Sequence, residues 1–358
     1  GLIESIAYWY DERQIRSAID EDRGAAYFAS LLPESEDPRQ AAARFAELAS
    51  SRAPPGAEIS ARNAWQRITE TADAHNEPGA FTALIGWEWS SIPGGGNLHR
   101  IVVTDAEGEQ AREFIPFSAS DSPYPEDLWA WLEATSDSIN ASLIAIPHNS
   151  NISKGIMFDS ATLRGEAMDA DYARERQRWE PVVEITQIKG DSETHPSLSP
   201  EDAFADFETY THYIQQKPEP YDPRPGDYVR SGLRTGLTLE SQIGENPFRF
   251  GLIGSTDSHT GLSSAEEPNF WGKMAKDSIP ENKGPRTIAG GPTGWSMSAS
   301  GLAAVWAEDN TRGAILEAFT RREVYASSGP RIRVRLFAGW DFEEADLEAF
   351  DPALGYAR

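Results

Sequence analysis

The stretch Phe81-Thr-Ala-Leu-Ile-Gly-Trp-Glu88 marks a change in the texture of the chain. Upstream the sequence reads as helix. Asp37-Pro38 opens an Ala-rich amphipathic run to about Ser50, and Ser60 can cap a helix running to about Asn76. Between them Ser51 to Gly56, with its Pro-Pro-Gly, reads as a loop. From Phe81 onward short apolar runs alternate with helical patterns. Strands are expected at 81–87, 98–104, 142–146, 182–188, 250–253, 302–306 and 332–337. Helices are expected at 125–135, from Glu201, from Asp227 and over 311–322. Continuous apolar strands separated by helices predict an α/β sheet or barrel covered on both faces. The chain thus divides into a mostly helical lead-in over 1–80, an α/β domain over 81–340 and, over 341–358, what is expected to be the start of a truncated C-terminal extension. A Gly/Pro-rich irregular insertion occupies 266–295.

Composition narrows the function classes. With 39% hydrophobic, 10% aromatic and 25% charged residues, the 358-residue chain can bury a core and is not a disordered segment. A net charge of −25 argues against partners such as the phosphate backbone of nucleic acids or anionic lipid. No apolar run reaches the ~18 residues needed to span a bilayer. An acidic surface still leaves room for a small anionic substrate, because a local metal cluster outweighs the global field. The absence of cysteine removes disulfides, thiolate ligands and a cysteine nucleophile, so any metal must be held by His, Asp or Glu. The acidic, Cys-free composition favours an exported or periplasmic protein over a cytoplasmic one. The chain opens at Gly1-Leu-Ile-Glu without a Met and closes on Phe350-Asp-Pro-Ala-Leu-Gly-Tyr-Ala-Arg358, so both ends are expected to be cut ends.

Three expected strands run into a candidate ligand. The strand at 81–87 ends at Glu88, that at 142–146 at His148, and that at 250–253 at Asp257 and His259. His99 follows Glu88 by eleven residues, beyond the Pro93-Gly-Gly-Gly96 turn, and can return to the same place. In parallel α/β folds the C-terminal strand ends surround the ligand crevice, so distant residues meet there. Imidazoles mixed with carboxylates suit zinc, manganese or iron. A bound ion lowers the pKa of its water towards neutrality and makes a hydroxide nucleophile. Bland readings compete: a histidine after a strand is commonly a hydrogen-bonded structural residue, and Asp257-Ser-His259 alone also fits a turn. Glu88, between Trp87 and Trp89, is harder to explain that way, because a carboxylate ending an apolar strand is costly unless paired or metal-bound. Arg100, Asn149, Lys189, Glu193 and His195 are candidate substrate-binding residues. His75 is expected to be solvated and His212, in Tyr210-Thr-His-Tyr213, to pack among aromatics.

These stretches carry a resemblance to the PHP superfamily of metallohydrolases, the polymerase-and-histidinol-phosphatase type. It is closest to an uncharacterised branch, family 3604 of the domains of unknown function. The matching segments are Phe81 to Ser90, Gly96-Asn-Leu-His-Arg100, Pro147-His-Asn149, Gln187-Ile-Lys-Gly-Asp-Ser-Glu193, Gly254-Ser-Thr-Asp-Ser-His-Thr-Gly261 and Ser328-Gly-Pro-Arg331. The resemblance implies a distorted (β/α)7 barrel with one to three divalent ions (Zn, Mn or Fe) at its mouth. It implies Glu88 as a bridging carboxylate, His99 and His148 as ligands of one ion, and Asp257 and His259 as the closing Asp-x-His pair. The implied activity is phosphoester hydrolysis. Amide or lactone hydrolysis by the same machinery and a non-catalytic metal- or ligand-binding module stand as alternatives. The family's opening His-x-His motif and its following Asp-His pair have no counterpart before Glu88, where His75 is the sole histidine. The resemblance therefore implies that the first barrel strands belong to an N-terminal segment of the same protein outside this chain.

Overall fold

A computed structural model describes residues 37–49, 57–214, 219–259, 273, 279–284, 292–297, 301–349 and 351–357. In chain order the helices are α1 Pro38–Ala49, α2 Ala57–Ala74, α3 Gly108–Ala111, α4 Pro125–Ile139, α5 Ala170–Trp179, α6 Val229–Ile243, α7 Pro280–Lys283, α8 Arg312–Thr320, α9 Glu344–Ala349 and α10 Pro352–Ala357. The strands are β1 Ile85–Trp89, β2 Arg100–Thr104, β3 Leu143–Pro147, β4 Val182–Gln187, β5 Gly190–Asp191, β6 Gly251–Gly254, β7 Leu302–Val305 and β8 Val324–Ser327. The fold is mixed α/β.

The strands form three small sheets, ordered β1-β2-β3, β5-β4-β6 and β7-β8. The first is an antiparallel meander, with Glu88 opposite Ile101 and Arg100 opposite Pro147. In the second, β4 and β6 are parallel while β5 returns antiparallel. β3 lies beside β4, and β6 lies beside β8. Among the described residues the sheets do not close into a barrel. No described helix is long and apolar enough to cross a membrane.

Both faces of the first sheet are covered, and the alternation of side chains along each strand decides what goes where. Trp87, Trp89, Val102, Leu143 and Ala145 pack with Trp65 of α2 and with Leu128, Trp129 and Leu132 of α4. Val103, Ile144 and Ile146 face the other way, onto Val182, Ile253 and, from α8, Leu316 and Phe319. The buried indoles keep their N–H groups satisfied, as burial demands. Trp87 donates to the Phe117 carbonyl at 2.9 Å, Trp89 to Ser122 at 3.1 Å and Trp65 to Ala111 at 2.7 Å. A third core joins Phe158, Val183, Val229, Leu239 and Phe248 beneath α6.

Several expectations need correction. The strand that opens at Phe81 in the sequence pattern forms only from Ile85; Phe81 is exposed and makes one isolated bridge with Glu77. Ser60 lies inside α2, which starts at Ala57. The stretch from Glu201 is a series of turns rather than a helix. Residues 332–337 join no ladder; the Ile332 and Val334 carbonyls instead accept from the Tyr325 hydroxyl and the Trp306 indole, at 2.7 and 3.0 Å. The stretch after Phe337 carries α9 and α10. Residues 1–36, the loop at 51–56 and most of the 266–295 insertion lie outside the described residues.

Candidate metal centre

Three strand ends meet at one edge of the first sheet. Because β2 runs antiparallel to β1 and β3, the edge that receives the ends of β1 and β3 receives the start of β2. Glu88 near the end of β1, His99 just before β2 and His148 just after β3 therefore converge. Glu88 and His148 arrive at C-terminal strand ends, as expected, whereas His99 arrives at a strand's beginning. Side-chain parity does the rest. His99 shares its face with Ile101 and Val103, and His148 shares its face with Ile144 and Ile146.

The loop that returns the chain to His99 is held tightly. Gly94 and Gly95 take positive φ, at 59° and 80°, and a Cβ on Gly96 would lie 2.6 Å from the Ser153 carbonyl oxygen. Asn97 donates its backbone N–H to Ile152 at 2.9 Å and its amide to the His148 carbonyl at 2.9 Å. The His148 N–H reaches the His99 carbonyl at 3.3 Å. The two histidines are thus tied backbone to backbone.

Glu88 Oε1 lies 2.6 Å from His99 Nδ1 and 3.1 Å from His148 Nε2, and the rings stand 5.5 Å apart. All three side chains are buried. Burial opposes the charge on Glu88, but the two imidazoles outweigh it and hold the carboxyl well below its ordinary value. Burial draws His99 down, against the pull of Glu88. For His148 the burial penalty is overcome by the hydrogen bond and charge of Glu88, aided by Glu184 and Asp257, and its pKa is raised.

A carboxylate and two imidazoles, each able to place a ligand atom within 4.8 Å of the other two, form a donor set that fits a divalent ion. A further observation supports the fit. His99 Nε2 and His148 Nδ1 are buried without a hydrogen-bond partner among the described residues, as are Asn97 Oδ1, Asn149 Oδ1 and Ser150 Oγ. Buried polar atoms left unpaired are uncommon in native proteins and call for a water, an ion or a ligand.

The second half of the site comes from β4 and β6. Asp257, three residues beyond β6, adopts the left-handed region at φ 49°. Its Oδ2 accepts from Lys189 Nζ, from Lys273 Nζ at 2.7 Å and from Gln187 Nε2 at 2.8 Å. Burial opposes its charge, but Lys189 and Lys273 dominate and depress its pKa strongly. Burial and the neighbouring Lys189 charge push Lys273 down to about 8. His259 Nδ1 lies 3.0 Å from the Asp257 carbonyl and 3.3 Å from Lys273 Nζ. Glu184, on β4, accepts from the Ser255 hydroxyl and, at 3.3 Å, from the Asn149 N–H. Burial raises its pKa to about 7.

The expected site residues separate into two groups. Glu88, His99 and His148 meet directly, Asp257, His259 and Lys189 lie near enough to interact with them electrostatically, and Asn149 follows His148 and bonds Glu184. Arg100 is elsewhere. It shares the parity of Val102, so its guanidinium enters the tryptophan-lined core, bonding Glu180 at 2.9 Å and the Leu98 carbonyl at 2.6 Å. Glu193 pairs with Arg230 at 2.5 Å and is half exposed. His195 bonds Ser197 at 2.8 Å and lies beside the Tyr221 and Tyr228 rings. His75 is exposed, and His212 packs edge-on against Tyr210, as expected.

Glu184, Gln187, Ser255 and Lys273 were not anticipated. For Glu184 the signal was present: a carboxylate inside Val182-Val-Glu-Ile185 is as anomalous as Glu88 between two tryptophans. Lys273 had no signal, since it comes from the patternless insertion.

The family model described as "Protein of unknown function (DUF3604)" matches residues 5–357. No curated protein and no solved structure matches the chain.

Proposed function

The chain belongs to the DUF3604 family, and we propose that it is a metal-dependent hydrolase that acts on phosphoesters. The observation that carries the reading is the buried Glu88–His99–His148 set, with the unpaired ring nitrogens His99 Nε2 and His148 Nδ1. The order Glu88, His99, His148 and Asp257-x-His259 supports kinship with PHP metallohydrolases and their barrel.

When bound, the ion supplies Lewis acidity and an activated water. The chain's residues supply the rest. Glu88 contributes the negative charge that offsets part of the ion's own, in a site where water no longer screens it. Burial draws His99 down, which favours the neutral imidazole that ligates a metal. Lys189 and Lys273 place two ammonium groups beside Asp257, and they favour an anionic substrate over a neutral amide or lactone.

The test is hydrolysis of p-nitrophenyl phosphate and bis-p-nitrophenyl phosphate with added manganese or zinc, compared between the native chain and Glu88→Gln. Metal-dependent turnover lost in the variant supports the reading. Metal binding without turnover on either ester, or on amide and lactone probes, points to a non-catalytic binding module.

A further inference from the structure

Asp257 is expected from the sequence to be a metal ligand, but its surroundings are those of a carboxylate already neutralised. Two ammonium groups, Lys189 Nζ and Lys273 Nζ, converge on the same oxygen, Oδ2, and Gln187 Nε2 donates to it at 2.8 Å. Both lysines are buried, and Lys273 also donates to the Asp257 carbonyl at 3.0 Å. The His259 backbone N–H is tied to the Lys273 carbonyl at 2.8 Å, so Lys273 is fixed to the turn that carries both expected ligands.

Charge decides where an ion can sit. Glu88 faces the two imidazoles, so a divalent ion there would meet a carboxylate and two imidazole nitrogens. An ion at Asp257 would instead meet two ammonium groups packed against one of its two carboxylate oxygens, Oδ2. Like charges in a buried site repel by several kcal/mol at ~4 Å, even at an effective dielectric near 20. To use Oδ2, an ion would have to displace both buried lysines, and at Oδ1 it would still lie beside their charges.

We propose that this chain holds a single catalytic ion, at Glu88, His99 and His148, and that Lys189 and Lys273 occupy the place of a second cation at Asp257. The inference rests on the metal-site reading above and deepens it. The lysine pair provides fixed positive charge at Asp257, near enough for Lys189 to act on His99, and would receive the anionic part of a phosphoester. Lysines are suited to this role as point charges that need no planar alignment.

The experiment is metal stoichiometry on the whole chain, stripped with chelator, dialysed against Zn2+ or Mn2+ and measured by elemental analysis. One ion per chain is expected. Asp257→Asn should retain that ion, with a loss in affinity below the roughly tenfold that removal of a ligand-supporting group produces. The paired substitution Lys189→Met with Lys273→Met, which vacates Asp257, should admit a second ion. Two or more ions in the native chain overturn the single-ion inference and leave the Glu88 site standing, whereas loss of the ion in Asp257→Asn protein that still unfolds cooperatively makes Asp257 a ligand and overturns the inference. No ion at all overturns the Glu88 site and this inference together.

Discussion

At the scale of single residues, His148 is the proposed ligand whose proton an ion must displace; Glu184, raised to about 7, and Lys273, lowered to about 8, titrate nearby. The neutral form of His148 is the one that ligates a metal, and its folded pKa is raised above 6.5 chiefly against burial, by Glu88. Below that raised value the ring is protonated, so the ion must displace one proton. Above it, no displacement is needed. Glu88 is held well below its ordinary value by the two imidazoles and His99 is drawn down by burial, so both shifts favour the forms that bind a metal. Zinc affinity should therefore fall by about tenfold per pH unit below the His148 value, with one proton released per ion. Calorimetric titration at about pH 6 and about pH 8 in buffers of different ionisation enthalpy measures both quantities. Flat affinity with no proton release would remove His148 from the ligand set. Arg100 makes the opposite case. Its guanidinium is buried against Glu180, which also accepts from Trp129 at 3.0 Å and forms an ion pair with Arg176 at 3.0 Å. Arg100→Met leaves Glu180 with a weakened partner set and should cost about 3–5 kcal/mol in urea unfolding. That stability loss, with bound metal per folded chain unchanged, separates a core role from the substrate-binding role its position in the motif invites.

At the scale of elements, the centre depends on a three-strand meander whose strands must sit closely. A Cβ on Gly86 would overlap the Val102 carbonyl oxygen and come within 3.0 Å of a Val103 methyl. Gly86→Ala should push β1 away from β2 at a point two residues from Glu88, costing about 1–3 kcal/mol and weakening metal binding as well. Denaturant midpoints and metal affinity measured on the same variant test this; a destabilised chain that binds metal normally would uncouple the sheet from the site. Much of this architecture is legible in the sequence because buried strands are short apolar runs. β1 to β4, β6 and β7 all lie where such runs occur, and Thr311 caps α8 by accepting from the Ala314 N–H at 3.3 Å. Direction is not legible. An apolar strand reads the same whether its neighbour is parallel or antiparallel, so the pattern alone places the first sheet among parallel strands. β8 at Val324–Ser327 escapes the pattern, while the cleaner alternation Ile332-Arg-Val-Arg-Leu336 suggests a strand that does not form. Pairing depends on a partner edge that local pattern does not contain. α5 is strongly charged, with Arg and Glu through Ala170–Trp179, and carries little apolar periodicity to reveal it.

At the scale of the molecule, the site lies where the first sheet meets the second, with β3 beside β4. The first sheet brings Glu88, His99 and His148; the second brings Glu184, Lys189 and, beyond β6, Asp257. A chain carrying a net charge of −25 thus brings two buried lysines to one point, where they offset the buried carboxylates of the site. The ligand candidates themselves can be picked out in the sequence because histidines and carboxylates at strand ends are anomalies. Their division between an ion-ready trio and a lysine-neutralised aspartate cannot, since it depends on Lys273 reaching back to Asp257 from the insertion. The claim on which the rest depends is that Glu88, His99 and His148 hold an ion. Anomalous diffraction at the zinc edge, on crystals of the whole chain grown with zinc, locates the ion directly. The expected result is a single strong peak about 2.0–2.2 Å from a Glu88 oxygen and from one nitrogen each of His99 and His148. A peak at Asp257 and His259 with none at Glu88, or no protein-bound peak at all, would contradict it.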